Sequence, residues 1–365
     1  MKRAASMLFA IALLLCVAWM WRSHGRHADA AATRDQLSTA KLVARKFYGR
    51  RLEPAENVLL HGGGQSDEES FNNYTAAVAP AKPMLTMKYV DLRDDLGQFF
   101  TQLHRDLDSH RESLVPQIGL ALNRGSASKH YEMETARGMD DGRLQALCAG
   151  LQSLQRPVFV RIGYEFNAPW NGYDASTYRS AFRNVAQQLH ACSPMIAVVW
   201  NWSARAELDR QRGGEDVALA ASRWREYYPG DDVVDWWAIN LFKPEEIGSP
   251  LTAEFLRAAD KARFPVMIAE STPRNAGVRG GQLSVDAWFA SYFGLLRSSP
   301  GIKAFCYIDW EWSRFPQWAD WGDGRIEDND VVMGFYRDQI EGHALFANAR
   351  DRAATLQLLR VKTPR

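Results

Sequence analysis

Short apolar runs alternate with amphipathic stretches along the chain from residue 57 onward. The apolar runs are uninterrupted, which is typical of parallel strands that are buried on both faces. The stretches between them repeat their apolar positions every three or four residues, as helices with one buried face do. The predicted strands cover residues 57–60, 84–90, 115–122, 157–165, 195–202, 233–242, 265–271 and 302–310, and the clearest helices cover residues 96–107, 141–154, 175–190, 252–262 and 285–297.

This alternation predicts an α/β fold, a (β/α)8 TIM barrel. Eight units occupy roughly 270 residues, close to the usual size of such a barrel. The alternative is a doubly wound open sheet, which is less favoured because no GxGxxG motif follows the first strand. We expect a single domain, with a helix and linker over residues 31–56, the barrel over 57–345 and a tail over 346–365.

Residues 1–30 are typical of a targeting segment. Two basic residues precede the apolar run AASMLFAIALLLCVAWMW, which is near the roughly 18-residue lower limit for spanning a bilayer. Small residues around Ala30 offer a cleavage site, but further basic residues separate that site from the apolar run. A cleaved signal peptide and an uncleaved anchor therefore both stay open. In either case we expect an exported protein, periplasmic or secreted, with an inner-membrane tether if the segment is retained.

The composition of the chain indicates which kinds of binding partner to expect. The formal net charge is +1 and no long basic run occurs, so a nucleic-acid partner is not expected. Tryptophan is frequent, with 13 copies, which hints at exposed stacking surfaces because a buried indole N–H needs a partner. No CxxC or HExxH motif is present, and we expect neither a metal nor an organic cofactor. We expect a monomer.

Two cysteines lie in or beside predicted helices. Cys148 and Cys192 can form a disulfide if the protein folds in an oxidising compartment. Two separate buried thiols are the equally open alternative.

Two glutamates are the candidate catalytic residues. A TIM barrel carries its chemistry where the strands end at the C-terminal face. Glu165 ends the fourth predicted strand and Glu270 ends the seventh, and these strands face each other across an eight-stranded barrel. A single glutamate at a strand end is most often a solvated residue or an ion-pair partner. Two opposed glutamates among many indoles instead indicate glycoside cleavage, in which one carboxyl donates a proton and the other attacks the anomeric carbon.

Aromatic and amide side chains accompany the two glutamates. Aromatic rings stack on the C–H faces of sugars, and amides pair with sugar hydroxyls. The HGGG stretch (61–64) is expected to leave room for substrate, since no GxSxG motif supports a lipase-type oxyanion loop. The candidate substrate-binding residues are Tyr164, Asn167, Trp170, Trp200, Asn201, Asn240, Tyr307 and Trp310.

Several segments of the chain resemble glycoside hydrolase family 26, over roughly residues 55–340. The YYPGDD stretch that leads into the sixth predicted strand is the most specific of them. The matching segments are RIGYEFNAPWNG (161–172), YYPGDDVVDWWAIN (227–240), PVMIAES (265–271) and AFCYIDW (304–310).

The resemblance implies a retaining glycoside hydrolase that cleaves β-mannan, β-xylan or β-glucan. It places the acid/base on Glu165 and the nucleophile on Glu270. It also implies that Trp310 forms the floor of the sugar subsite at the cleavage point.

The chain departs from the family pattern at two positions. Tyr164 replaces the histidine that precedes the acid/base, and Phe242 replaces a tyrosine near the nucleophile. A phenyl ring cannot hydrogen-bond a carboxylate, so we expect Tyr307 or Asn240 to supply the polar contact to Glu270 instead. These departures, and the N-terminal segment, keep two alternatives open. One is a non-catalytic polysaccharide-binding barrel in exopolysaccharide assembly or export, and the other is a transglycosylase.

Overall fold

The computed structural model describes residues 35–64, 67–211, 216–341 and 346–361. Eight parallel strands form a closed barrel, because β1 pairs with β2 on one side and with β8 on the other. The predicted (β/α)8 TIM barrel is confirmed. The strands are β1 Leu59–Gly63, β2 Leu85–Asp91, β3 Val115–Ala121, β4 Val158–Ile162, β5 Ile196–Ser203, β6 Trp236–Leu241, β7 Val266–Ser271, β8 Ile302–Tyr307 and the short β9 Phe346–Ala347.

Helices follow the strands and cover the barrel. Many begin where a polar side chain caps the free N–H groups of the first turn. At the start of the longest helix, the Asp174 carboxylate accepts hydrogen bonds from the backbone N–H groups of Ser176 and Thr177. The helices are α1 Glu68–Ala77, α2 Leu96–Asp108, α3 Glu132–Ala136, α4 Asp141–Ser153, α5 Ala175–Cys192, α6 Ala204–Gln211, α7 Val217–Glu226, α8 Pro244–Ile247, α9 Pro250–Ala262, α10 Gln282–Ser284, α11 Ala290–Ser298, α12 Asp330–Glu341 and α13 Arg352–Leu358.

The barrel interior is filled by large side chains. Phe159 of β4 and Trp236 of β6 lie on strands that are not neighbours, and their rings meet edge to face at 5.1 Å. The Trp236 indole also donates to the backbone oxygen of Arg51 at 2.8 Å, which ties the barrel to the preceding segment. The barrel interior near the N-terminal ends of the strands is therefore a packed core. The space for chemistry lies at the C-terminal ends of the strands.

Segments on either side of the eight-strand repeat pack onto the same body. The buried Arg45 guanidinium donates to the backbone oxygens of Leu296 and Ser299, both at 2.7 Å. At the other end of the chain, β9 pairs in parallel with β1.

The glycines of the HGGG stretch make room for protein rather than for substrate. Gly62 and Gly63 lie within β1. A Cβ on Gly62 would lie 2.2 Å from the backbone oxygen of Leu85, and a Cβ on Gly63 would lie 2.5 Å from the Tyr74 ring. Our expectation that this stretch lines the substrate site is wrong, because close strand and helix packing already fills the space.

Cys148 of α4 and Cys192 of α5 form a disulfide. This disulfide decides between the two alternatives that the sequence leaves open for the cysteines.

The predicted targeting segment, residues 1–30, lies outside the described residues. Among the helices that the structure does describe, none is both long and apolar enough to cross a membrane.

Candidate active site

Glu165 lies just beyond the end of β4, in a turn that holds its backbone in a left-handed conformation. Its φ angle is 52°, which is unusual for a residue other than glycine. The Asn171 amide supports this conformation by donating to the backbone oxygens of Tyr164 and Glu165, at 2.8 and 3.1 Å. Unusual backbone geometry of this kind is frequent at functional sites.

The Glu165 carboxyl group is buried and favours its protonated form. Burial raises its pKa to about 7, and the negative charge of Glu270 acts in the same direction. The indole Nε1 of Trp170 donates to Glu165 Oε2 at 2.8 Å and partly opposes that rise. Glu165 therefore holds a proton in a substantial fraction of molecules near neutral pH.

Glu270 has the opposite environment, because a buried cation faces it. It lies near the end of β7, where its carboxylate pairs with the fully buried Arg161 guanidinium of β4. Arg161 also donates to Asn201 Oδ1 at 3.0 Å, and the Asn201 amide donates to Asn240 Oδ1 at 3.1 Å. Arg161, and not Tyr307 or Asn240, is the residue that pairs directly with the Glu270 carboxylate.

Space for the Arg161 guanidinium comes from Gly119 on the neighbouring strand β3. A Cβ at this position would lie 2.7 Å from the Tyr89 ring, 2.9 Å from Arg161 Nη2 and 3.1 Å from the Tyr164 ring. The Arg161 Cζ lies 5.2 Å from the Tyr89 ring centre and 5.0 Å from that of Tyr164. Such cation–π contacts favour a buried charge. Our sequence reasoning missed both Gly119 and Tyr89.

Four of the predicted substrate-binding residues lie around the two glutamates. Tyr164 packs against Tyr89 at 5.4 Å, and Trp170, 40% exposed, contacts Glu165 directly. Asn201 and Asn240 extend the hydrogen-bonded chain that begins at Arg161. The Asn240 amide also acts to lower the pKa of Glu165.

Trp310 follows β8 and belongs to a group of aromatic side chains that we call the aromatic wall. It stacks on Phe315 at 4.6 Å and meets Trp312 edge to face at 5.1 Å. Trp310 is partly exposed, so one part of its ring is open to a ligand. The wall consists of Trp310, Trp312, Phe315, Trp318 and Trp321.

Three predicted substrate-binding residues instead have structural roles. Trp200 of β5 is fully buried on the outer face of the barrel, where it stacks on Phe166 at 4.5 Å. The Tyr307 hydroxyl donates to the Gly324 backbone oxygen at 2.5 Å within the core. It therefore does not donate its hydrogen bond to Glu270. Asn167 uses both atoms of its amide on the backbone of Ser203, at 2.9 and 3.0 Å. The polar groups of these three buried side chains are used within the protein, and their contact with substrate stays a prediction.

No group of three or more histidine, cysteine, aspartate or glutamate side chains that could hold a metal ion occurs among the described residues.

Comparisons in sequence point to glycoside hydrolases. No model of a known protein family matches the chain. A β-1,3-xylanase from Alcaligenes sp is 26% identical, over 88% of this chain and 72% of that protein. A β-1,3-xylanase from Vibrio sp is 25% identical, over 80% of this chain and 67% of that protein.

Solved structures of family 26 proteins share the fold. GH26C from Muricauda sp. gives a TM-score of 0.56 at 12% identity, covering 93% of this chain and 94% of that one. The catalytic domain of a Bacillus sp. GH26 endo-β-1,4-mannanase gives 0.53 at 12% identity, covering 85% and 90%. The comparisons confirm the resemblance to glycoside hydrolase family 26, as a divergent relative, and the predicted enzyme class, a glycoside hydrolase.

Proposed function

We propose that this glycoside hydrolase cleaves a β-1,3-linked xylan, or a closely related β-glycan, with retention of configuration. The observation that carries the proposal is the contrast between two carboxyl groups in one site. Glu165 is buried and favours its protonated form, while Glu270 is paired with the buried Arg161. Retaining glycosidases need one carboxyl of each kind.

Glu165 acts as the acid. Its proton passes to the glycosidic oxygen as the bond to the anomeric carbon breaks, and Glu165 is left as a carboxylate. The Trp170 indole N–H then stabilises that carboxylate through the 2.8 Å hydrogen bond. Trp170 therefore keeps the pKa of Glu165 from rising beyond the range in which the proton can be given up.

Glu270 acts as the nucleophile. One carboxylate oxygen attacks the anomeric carbon from the face opposite the leaving group and forms a glycosyl-enzyme ester. Water then attacks the same carbon, gives its proton to Glu165 and releases Glu270. Arg161 pairs with Glu270 and orients one of its oxygens for the attack. Two inversions at one carbon give a product with the original configuration.

The substrate class comes from the relatives that match in sequence. Both of them are β-1,3-xylanases, and they share more sequence with this chain than the mannanase structures do. The aromatic wall beside the site supplies the stacking surface that a pyranose ring needs. We therefore propose β-1,3-xylan first and other β-glycans second.

Binding without catalysis is less favoured, because a binding site gains nothing from a proton-holding carboxyl beside one that is paired with a buried arginine. Transglycosylation uses the same pair and differs only in the acceptor. Glycans longer than the substrate among the products would identify it. We also propose that the protein is exported, which the Cys148–Cys192 disulfide supports.

A panel of β-1,3-xylan, β-1,4-xylan, β-mannan and mixed-linkage β-glucan tests the proposal, with product sizing by chromatography. We expect cleavage of β-1,3-xylan by the wild type and near-complete loss in Glu165→Ala and Glu270→Ala. Glu254→Gln, a partly exposed residue of α9 that pairs with Arg257, is the control and should keep full activity. Undiminished cleavage by both alanine variants would exclude the proposed catalytic pair.

A further inference from the structure

The segments that follow β4, β5 and β8 bring two indoles and a guanidinium together beside the candidate active site. The Arg205 Cζ lies 5.6 Å from the Trp170 ring centre and 5.7 Å from the Trp321 ring centre. Trp170 is exposed, and the other two residues are partly exposed. We call this surface the arginine rim: Trp170, Arg205 and Trp321.

The arginine rim adjoins the acid/base. Trp170, one end of the rim, donates its indole N–H to Glu165 at 2.8 Å. A polysaccharide that places a glycosidic bond at Glu165 therefore extends past Trp170, and a neighbouring sugar comes within reach of Arg205. The role of the rim in substrate binding rests on the proposed function of Glu165.

The terminal nitrogens of Arg205 have no hydrogen-bond acceptor among the residues that the structure describes. Its Nε contacts Asp209 Oδ2 at 3.4 Å, a long hydrogen bond to a partly exposed carboxylate. A guanidinium with both terminal N–H groups free presents the fork that carboxylates bind.

Glu246 is a buried acid close enough for the charge of Arg205 to act on its pKa, but it does not neutralise Arg205. Burial raises the pKa of Glu246 to about 8, so this carboxyl is largely protonated at neutral pH. One of its oxygens, Oε2, is already occupied, because it accepts the Phe242 backbone N–H at 2.6 Å.

A second cation strengthens the positive charge of the rim. The Arg274 Cζ lies 4.4 Å from the Trp321 ring centre, on a side chain that is itself buried. Its ion-pair partner Asp320 is 57% exposed, so solvent screens that carboxylate more than it screens the buried guanidinium. Trp321 therefore lies against two guanidinium groups.

We propose that the arginine rim is a subsite for a sugar that carries a carboxylate, such as an acidic substituent on the polysaccharide chain. The Arg205 terminal N–H groups bind the carboxylate, and the Trp170 and Trp321 rings pack against the C–H face of the same sugar. The subsite makes the enzyme prefer an acidic form of its glycan to the neutral form.

Two matched substrates test this proposal: β-1,3-xylan and the same polymer lightly carboxymethylated. We expect the wild type to have the higher kcat/KM on the carboxymethylated polymer. Arg205→Gln should lose about tenfold in kcat/KM on that polymer, the effect of roughly one charge-assisted contact, and change less than about twofold on the neutral polymer. Added salt should reduce the preference of the wild type. Arg225→Gln, an exposed arginine on α7 that pairs with Glu254, is the control and should behave as the wild type.

Equal losses on the two polymers in Arg205→Gln would overturn the proposal, because Arg205 would then contact a neutral part of the sugar. A wild type without preference for the carboxymethylated polymer would overturn it as well. If the wild type cleaves neither polymer, the proposed function fails separately. The rim is then tested by affinity electrophoresis in the two polymers, where stronger retardation by the carboxymethylated one, lost in Arg205→Gln, supports it and equal retardation overturns it.

Discussion

The indole Nε1 of Trp170 donates a hydrogen bond to Glu165 Oε2 at 2.8 Å. This bond favours the ionised form of Glu165, while burial and Glu270 favour the protonated form. The balance leaves the pKa of Glu165 at about 7. The hydrogen bond therefore sets how far into the alkaline range the proposed acid keeps its proton.

The first prediction concerns the pH dependence of catalysis. An acid must be protonated to act, so kcat/KM should fall as pH rises through about 7. Trp170→Phe removes a donor that stabilises the carboxylate, so the pKa of Glu165 rises and the alkaline limb moves to higher pH. Trp318→Phe, in the aromatic wall, should leave the limb in place. An alkaline limb that moves to lower pH in Trp170→Phe would contradict the assigned acid.

The second prediction concerns stability. The folded-state pKa of Glu165 lies above its ordinary value of 4.5, so the proton stabilises the folded state below pH 4.5 and this stabilisation is lost as pH rises through about 7. Glu165→Gln does not titrate. Relative to the wild type, its free energy of unfolding should therefore increase by roughly 2–3 kcal/mol between pH 5 and pH 8. Denaturant unfolding at the two pH values measures this difference, and a pH-independent difference would exclude the raised pKa.

The third prediction concerns the buried ion pair. Arg161→Met leaves the Glu270 carboxylate without its partner in a buried site, which should cost about 3–5 kcal/mol of folding free energy. The double variant Arg161→Met, Glu270→Gln removes both charges and should regain much of the stability. Equal destabilisation of the single and double variants would rule out the charge as the cause.

The fourth prediction concerns Gly119. Its substitution by alanine places a methyl group 2.7 Å from the Tyr89 ring and 2.9 Å from Arg161 Nη2, so the guanidinium must shift away from Glu270. We expect at least a tenfold loss in kcat, roughly 1.4 kcal/mol in the barrier, with an unchanged circular-dichroism spectrum. Gly142→Ala in α4 is the matched control, because its Cβ meets nothing within 4 Å. Equal activity of the two variants would show that Gly119 does not position Arg161.

The barrel and its two glutamates could be predicted because both follow from local patterns. Uninterrupted apolar runs of strand length identify parallel strands, and strand ends identify the catalytic face. Glu165 and Glu270 could then be found as carboxylates at two such ends. The polar and aromatic neighbours of these glutamates required more information than position along the chain.

Which strand residues face the barrel interior could not be predicted from apolar runs. Asn201 points inward to Arg161, so its neighbour Trp200 points outward into the helix layer. Because these strands are buried on both faces, neither side is marked by polar residues. The packing of Tyr307 against the helix residues Trp288 and Tyr336 could not be predicted for the same reason.

The importance of Arg161, unlike that of Gly119, is marked in the sequence. Arg161 is a charged residue within an otherwise apolar strand, and a buried charge needs a partner. That reasoning would have identified Arg161 as the partner of a carboxylate at the site. Gly119 carries no such signal, because its importance comes from side chains on two neighbouring strands.

Rescue of Glu270→Ala by azide tests the central claim most directly. Removal of the nucleophile leaves a cavity below the anomeric carbon, so azide can attack an aryl β-glycoside of the cleaved sugar from the side that Glu270 occupied. We predict that Glu270→Ala has almost no turnover in buffer, and that azide restores part of it with the α-glycosyl azide as product, identified by NMR. Turnover of Glu270→Ala without azide at the wild-type rate would contradict the assignment of Glu270 as the nucleophile.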